Sequence, residues 1–334
     1  MKAPFPWFGG KRTIAATVWQ ALGDVSHYVE PFFGSGAVLL QRPHAPNVES
    51  VNDLDGLLAN FWRAVQTAPD EVAHHADWPT NEADLHARHY WLVMQRDSLT
   101  ERLMGDPDWF DAKAAGWWCW GACNWIGCGW CSGEGPWQAV GGVLVDTRKT
   151  GNAGRRINRQ LPHMGNAGRG INRQLSHMTN MGCALNSKRG DQIRDWMRAL
   201  SERLRGVRVA CGDWARVAGP SVLRAGGGVC GVFLDPPYDV SDRVDVYAME
   251  TKVAADVRAW ALANGDDPEL RIVLAGYDGE HNALEAAGWR VKAWKASGGY
   301  GSQGDGDGRA NAVRERLWFS PHCLDGARDL FGSI

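Results

Sequence analysis

The sequence predicts an α/β protein: a parallel sheet with helices on both faces, interrupted by an inserted, mainly helical and irregular domain. Three observations predict it. Short apolar runs alternate with amphipathic stretches over residues 25–66 and again beyond 190, the pattern of a parallel sheet with covering helices. Between about 77 and 187 the alternation stops and the chain turns rich in Trp, His, Arg and Gly. Several apolar runs close on glycine or on an acid, and open α/β sheets gather their ligands at the carboxyl ends of such strands.

In chain order, VSHYVEP (25–31) reads as the first strand, FFGSG as a turn and AVLLQR as the start of a helix. VESVNDLD is a second strand, and DGLLANFWRAVQ carries apolar residues at helical spacing. LHARHYWLVMQRD is helical within an insertion that otherwise reads as long irregular stretches. DQIRDWMRALSERL is an amphipathic helix, VRVACGDW and VCGVFLDPPY are strands, ADVRAWALAN is a helix and RIVLAG a further strand. WRVKAW and VRERLWF form an expected hairpin around the Gly-rich loop SGGYGSQGDGDGRAN. The expected boundaries are 1–75 and 188–334 for a discontinuous outer domain and 76–187 for the insertion.

With 334 residues, 44% hydrophobic and 22% charged, the composition excludes a disordered chain and allows two moderate domains. No apolar run reaches the roughly 18–20 residues of a bilayer span, and MKAPFPWFGGKR lacks the apolar core of a secretory signal. A cytoplasmic location without a membrane partner is expected. Eight cysteines are too sparse for a disulfide framework. Cys119, Cys123, Cys128 and Cys131 are spaced more tightly than paired zinc loops, so packed thiols are expected rather than a metal.

Net charge is −2, yet between Asp146 and Asp191 there are nine Lys or Arg residues and no acid. Arg155, Arg156, Arg159, Arg169 and Arg173 belong to this stretch, which suits phosphate contact; a merely solvated charge run is the alternative. Within it GNAGRRINRQLPHM (151–164) is followed at once by GNAGRGINRQLSHM (165–178), differing at Arg156/Gly170 and Pro162/Ser176. The period is too short for a solenoid and reads as a tandem duplication in an exposed arm. His163 and His177 recur because the segment was copied, so their repetition argues nothing about a metal.

Four short stretches carry chemistry. Gly34 and Gly36 in YVEPFFGSGAV let a backbone approach a ligand closely, although the stretch departs from GxGxxG. Asp53, an acid about 20 residues beyond that turn, is placed to accept hydrogen bonds from ribose hydroxyls; capping a helix over 54–66 is its alternative role. PFPWFGGKR offers the apolar face of Trp7 and the cation of Lys11, which could meet a ligand carboxylate; a hydrophobic anchor for the terminus is the plainer reading. In LDPPY the two prolines lock a corner. There the Asp235 carboxylate and the Pro236 carbonyl can each accept a hydrogen from a nucleobase amino group, with Tyr238 stacking on the extruded base.

In this order PFPWFGGK, VEPFFGSGAV, Asn52-Asp53, a long insertion and LDPPY resemble the Dam-type family of DNA adenine-N6 methyltransferases, which includes many phage-borne members. The resemblance implies a Rossmann-like methyltransferase sheet, with the insertion as a target-recognition and DNA-binding domain. It implies S-adenosylmethionine as cofactor, lined by Trp7, Lys11, Asp53 and Asp235 with Gly34 and Gly36 in its loop. It further implies that Asp235, Pro236 and Tyr238 hold a flipped adenine, while Asp213 is expected near either ligand. Double-stranded DNA is the implied partner, with a companion restriction endonuclease as a further candidate. Competing readings keep the fold and cofactor but move the acceptor to RNA or a protein amide, or leave a catalytically inactive DNA-binding protein. The recognised sequence and the oligomeric state are not legible.

Overall fold

The computed structural model describes residues 1–7, 11–45, 47–125, 130–131, 137–140, 143–146, 187–238, 248–294 and 314–325. It divides into two compact units, one of residues 1–3, 7–54 and 206–334, the other of 4–6 and 55–205. The first unit begins with helix α1 (Ala15–Leu22) and strands β1 (His27–Glu30) and β2 (Val48–Asp53). The second contains α2 (Gly56–Thr67), α3 (Pro69–Ala76), α4 (Glu82–Gly105), α5 (Ala112–Asn124), the hairpin β3 (Trp137–Val140) and β4 (Val143–Asp146), and α6 (Ser187–Leu204). The chain then returns to the first unit with β5 (Val207–Cys211), α7 (Pro220–Leu223), β6 (Cys230–Leu234), α8 (Ala248–Asn264), β7 (Leu270–Tyr277), α9 (Asn282–Ala286), β8 (Arg290–Ala293) and β9 (Glu315–Phe319). Among the described residues no helix is long and apolar enough to cross a membrane.

One mixed sheet organises the first unit, in the order β5-β2-β1-β6-β7-β9-β8. The first five strands are parallel, and β9 runs antiparallel to both β7 and β8. β1 and β6 are buried along their whole length, as expected of central parallel strands covered on both faces. On one face Val232, Leu234, Ile272, Leu274 and Trp318 pack with Val257 and Ala261 of α8 and Leu284 of α9. On the other, Gly231 leaves room for Leu22 of α1 and for Val25 to lie against the strand. The hairpin expected near the C-terminus is present, with Arg290 opposite Phe319.

The second unit is built on aromatic packing. Phe5 meets Phe61 at 5.3 Å and Trp118 at 4.8 Å, both edge to face, an arrangement that ring quadrupoles favour. Three of its helices, α2, α4 and α5, start on side-chain caps: Asp55 accepts from the Leu57 N–H, Asn81 from Ala83 and Asp111 from Ala114. Gly116 lets α5 approach α3 where a Cβ would lie 2.7 Å from the Val72 carbonyl.

Three local expectations are corrected. AVLLQR forms only a short 3-10 turn, Leu39–Gln41, because just six residues separate Gly36 from Pro43; the Val38 carbonyl accepts both from the Gln41 N–H and from the Trp19 indole. Residues 112–124, read as irregular, form α5, most of whose residues are buried, so no polar stripe betrays the helical period. The helix beginning near 54 is capped by Asp55 and not by Asp53. Helix α1 was not anticipated.

Candidate active site

Strand order reverses direction at β1, which has β2 on one side and β6 on the other. Chains leaving such a pair of strands part, and a crevice opens beyond their carboxyl ends. Here Glu30 leads into Pro31 from β1 and Leu234 into Asp235 from β6, and both corners line a cleft of about 550 Å³. Trp7, Lys11, Gly34, Asp53, Pro236 and Tyr238 line it as well, so most residues singled out from the sequence share one cavity. Gly36 lies in the adjoining turn, outside the lining.

The turn after β1 is shaped by its glycines. Gly34 and Gly36 have φ of 49° and 62°, left-handed values that an L side chain adopts only with strain. A Cβ on Gly34 would come 2.5 Å from the Trp7 indole nitrogen, and one on Gly36 would come 2.6 Å from the Phe33 ring. The Gly34 N–H donates to Asp53 Oδ2 at 2.8 Å, which orients the half-exposed carboxylate at the end of β2. Next to it, Asn52 donates to the carbonyls of Pro31 (3.1 Å) and Gly212 (2.9 Å), clasping the loops after β1 and β5. Asp213 caps the short turn Trp214–Arg216 and also lines the cleft.

Across the cleft, Lys11 is buried and its Nζ lies 3.0 Å from Asp235 Oδ1. The same ammonium stands 4.9 Å from the centre of the Tyr238 ring and 5.6 Å from that of Trp294, close enough for cation–π attraction. Tyr238 Oη is 3.1 Å from Asp235 Oδ1 and 3.0 Å from Glu315 Oε2. Its ring meets Tyr277 edge to face at 4.6 Å. Among the described residues no hydrogen bond reaches Asp235 Oδ2 or the Pro236 carbonyl.

Burial sets the titration of the surrounding acids. It pushes the Glu30 carboxyl well above the usual carboxylate range, against the hydrogen bond from the Tyr28 hydroxyl at 2.8 Å, with Asp235 and Asp53 adding to the rise. Glu315 is raised mainly by burial, with Lys11 opposing and Asp235 adding. The Tyr238 phenol is raised well above its ordinary value by burial, then by Asp235 and Glu315.

Sequence reasoning assigned no role to Glu30, Asn52, Tyr277 or Glu315. The first two lie inside motifs already quoted. Glu315 carries a signal of its own: an acid opens the mostly buried strand ERLWF, and because β9 is antiparallel this first residue sits opposite Tyr277 at the cleft end of β7.

Arg155, Arg156, Arg159, Arg169 and Arg173 lie outside the described residues, as do Cys128, His163 and His177. Cys119, Cys123 and Cys131 are buried free thiols. Among the described residues no group of three or more His, Cys, Asp or Glu could hold a metal ion.

Residues 7–101 match the family model described as D12 class N6 adenine-specific DNA methyltransferase. The match takes in Trp7, Lys11, Gly34, Gly36 and Asp53 and ends before Asp235. No curated protein matches the chain. Over residues 7–101 the chain is therefore similar to that family, and the mixed sheet with its flanking helices is consistent with a Rossmann-like methyltransferase core bearing helical insertions.

Proposed function

We propose that the protein is a site-specific DNA adenine methyltransferase that transfers a methyl group from S-adenosylmethionine to N6 of an adenine flipped out of duplex DNA. The observation that carries this reading is the corner after β6. Asp235 has one oxygen engaged by Lys11 and Tyr238, while its other oxygen and the Pro236 carbonyl have no partner among the described residues. Two fixed acceptors on a locked corner match the two hydrogens of an exocyclic amino group.

The cleft's donor set fits S-adenosylmethionine. This cofactor has no phosphate, and the turn over 33–37 enters no α-helix whose N-terminus could cradle one. Asp53, held by Gly34, would accept from the ribose hydroxyls. Trp7, 39% exposed and lying over Gly34, would cover the cofactor with an apolar face. The cofactor supplies an electrophilic methyl on a sulfonium.

The protein's task is to make a poor nucleophile attack. An adenine amino lone pair is delocalised into the ring; Asp235 Oδ2 and the Pro236 carbonyl, each accepting one hydrogen, draw the nitrogen toward pyramidal geometry and free that lone pair. Asp235 is also the nearest base for the proton that N6 sheds after transfer. Tyr238 offers its ring to the extruded base, and the prolines keep the corner from relaxing.

Residues 76–187 would serve as the target-recognition and DNA-binding domain. Its support is the acid-free basic stretch containing Arg155, Arg156, Arg159, Arg169 and Arg173, whose charge suits the DNA backbone. A restriction endonuclease of matching specificity is a candidate companion. Incubating the protein with labelled S-adenosylmethionine and mixed-sequence duplex DNA, then analysing nucleosides by mass spectrometry, should show N6-methyladenine. Label appearing in RNA or in the protein, with none in DNA, overturns the proposal.

A further inference from the structure

Tyr238 has one hydroxyl hydrogen and two carboxyl groups to give it to. Asp235 Oδ1 and Glu315 Oε2 lie on either side of the phenol oxygen at 3.1 and 3.0 Å. If both carboxyls were ionised, one of these short contacts would hold no hydrogen at all. A close oxygen pair without a proton between them is repulsive, and the more so in a buried site. One of the two acids must therefore bring a proton.

Geometry says which. Asp235 is ion-paired with Lys11 at 3.0 Å and its side chain is 22% exposed. Glu315 is buried, and among the described residues no cation forms an ion pair with it. Of the other charged or titratable groups around it, Asp235, Glu280 and Tyr238 are acids, Tyr277 stands opposite on β7, and Arg314 precedes it with its guanidinium over the Tyr277 ring. Among the described residues Lys11 is the cation that favours ionisation of Glu315, and burial outweighs it.

We infer that Glu315 is a positioning residue which, in its carboxylic acid form, donates to the Tyr238 oxygen and so commits the single Tyr238 hydrogen to Asp235 Oδ1. This rests on the proposed reading of Asp235 as the acceptor of the substrate amino group. With Lys11 and Tyr238 both donating to Oδ1, the carboxylate cannot rotate, and Oδ2 stays directed at the substrate. Ionisation of Glu315 would draw the Tyr238 hydrogen away from Asp235 and place a second negative charge across one phenol oxygen. Methyl transfer therefore has an alkaline limb set by Glu315: full rate while the acid is protonated, falling as pH rises through its raised value. The effect falls on kcat and spares cofactor binding, because Glu315 acts on the reacting corner and leaves the ribose-binding residues untouched.

The test compares wild type, Glu315→Gln and Glu315→Ala across pH by single-turnover methyl transfer to DNA, together with carboxyl ¹³C NMR of glutamate-labelled protein. A glutamine N–H replaces the acid O–H but cannot ionise. Glu315→Ala should lose about tenfold in rate, less than the roughly 10²–10⁴-fold that a catalytic acid or base itself contributes. Glu315→Gln should recover several-fold over Ala and lack the alkaline limb. In the NMR titration wild type should show a glutamate signal above the ordinary range that vanishes in Glu315→Gln, leaving that of Glu30. An unchanged limb in Glu315→Gln, an alanine variant as fast as wild type, or a Glu315 signal in the ordinary range would overturn the inference. If wild type methylates no DNA, the proposed function fails, and the NMR titration alone then decides the protonation of Glu315. Should a variant fail to fold, the wild-type titration still decides.

Discussion

The ammonium of Lys11 and the Oδ1 of Asp235, 3.0 Å apart, join the first turn of the chain to the corner that ends β6. The N-terminal motif and the LDPPY corner thus form one charged pair, and either half removed leaves the other uncompensated in a mostly buried place. Lys11→Ala should lower stability by about 1–3 kcal/mol, the usual cost of a stranded buried partner, measured by urea unfolding. Asp235→Asn should lower methyl transfer by about 10²–10⁴-fold with cofactor affinity changed only a few-fold by calorimetry. Wild-type turnover in the Asn variant would remove the charge and basicity of Asp235 from the mechanism, since an amide oxygen still accepts a hydrogen bond.

Gly34→Ala tests the turn under Trp7. The substitution forces a side chain into left-handed backbone at φ 49° and into the indole at 2.5 Å. Strain of about 1–2 kcal/mol is expected, and displacement of Trp7 should weaken S-adenosylmethionine binding more than DNA binding. Titration calorimetry and a DNA mobility assay separate the two.

Two buried histidines predict how the protein responds to acid. His89 in the second unit and His281 in the first are nearly inaccessible, and burial holds both at about 4. Their folded values lie below the unfolded value of about 6.5. The stability they contribute is therefore complete above about pH 6.5 and is lost as pH falls toward 4. Each can account for up to about 3 kcal/mol of that loss. Among the described residues neither ring nitrogen of His281 finds a hydrogen-bond partner. His281→Leu should therefore flatten the acid limb of the melting temperature at little cost near neutrality. A limb of unchanged depth in that variant would exclude His281 as its source.

The basic stretch predicts a salt response. Replacing Arg155, Arg156, Arg159, Arg169 and Arg173 singly by Ala should weaken binding to all duplexes alike where the residue contacts phosphate, each change lowering the salt slope by about one. A substitution that instead relaxes preference at one base position marks a base contact. Fluorescence anisotropy at several salt concentrations distinguishes these outcomes.

Much of the core sheet was legible because central parallel strands are buried on both faces, and CGVFL and RIVLAG say so directly, whereas VRVAC lies at the sheet edge and is buried only at its two ends. Gly34, Asp53 and Asp235, which line the cleft, stood out through their place at the ends of apolar runs and not through residue type alone, since glycine, acid and proline also serve plain turns and caps. Helix α5 was hidden because burial on most sides erased its period, and its glycines, which admit α3 and Trp130, read as breaks. Glu315 was hidden by topology. Only the antiparallel return of β9 beside β7 brings it to the cleft, against a tyrosine far from it in the chain. The cap at Asp55, two positions from Asp53, shows how a local rule can select the wrong neighbour when two acids stand close together.

The most direct measurement is nucleoside mass spectrometry on duplex DNA incubated with the protein and methyl-labelled S-adenosylmethionine, run beside Asp235→Asn. The account predicts label on adenine N6 at a single recurring sequence context with wild type and almost none with the variant. Label on cytosine, on RNA or on the protein itself, or equal labelling by both proteins, would contradict it.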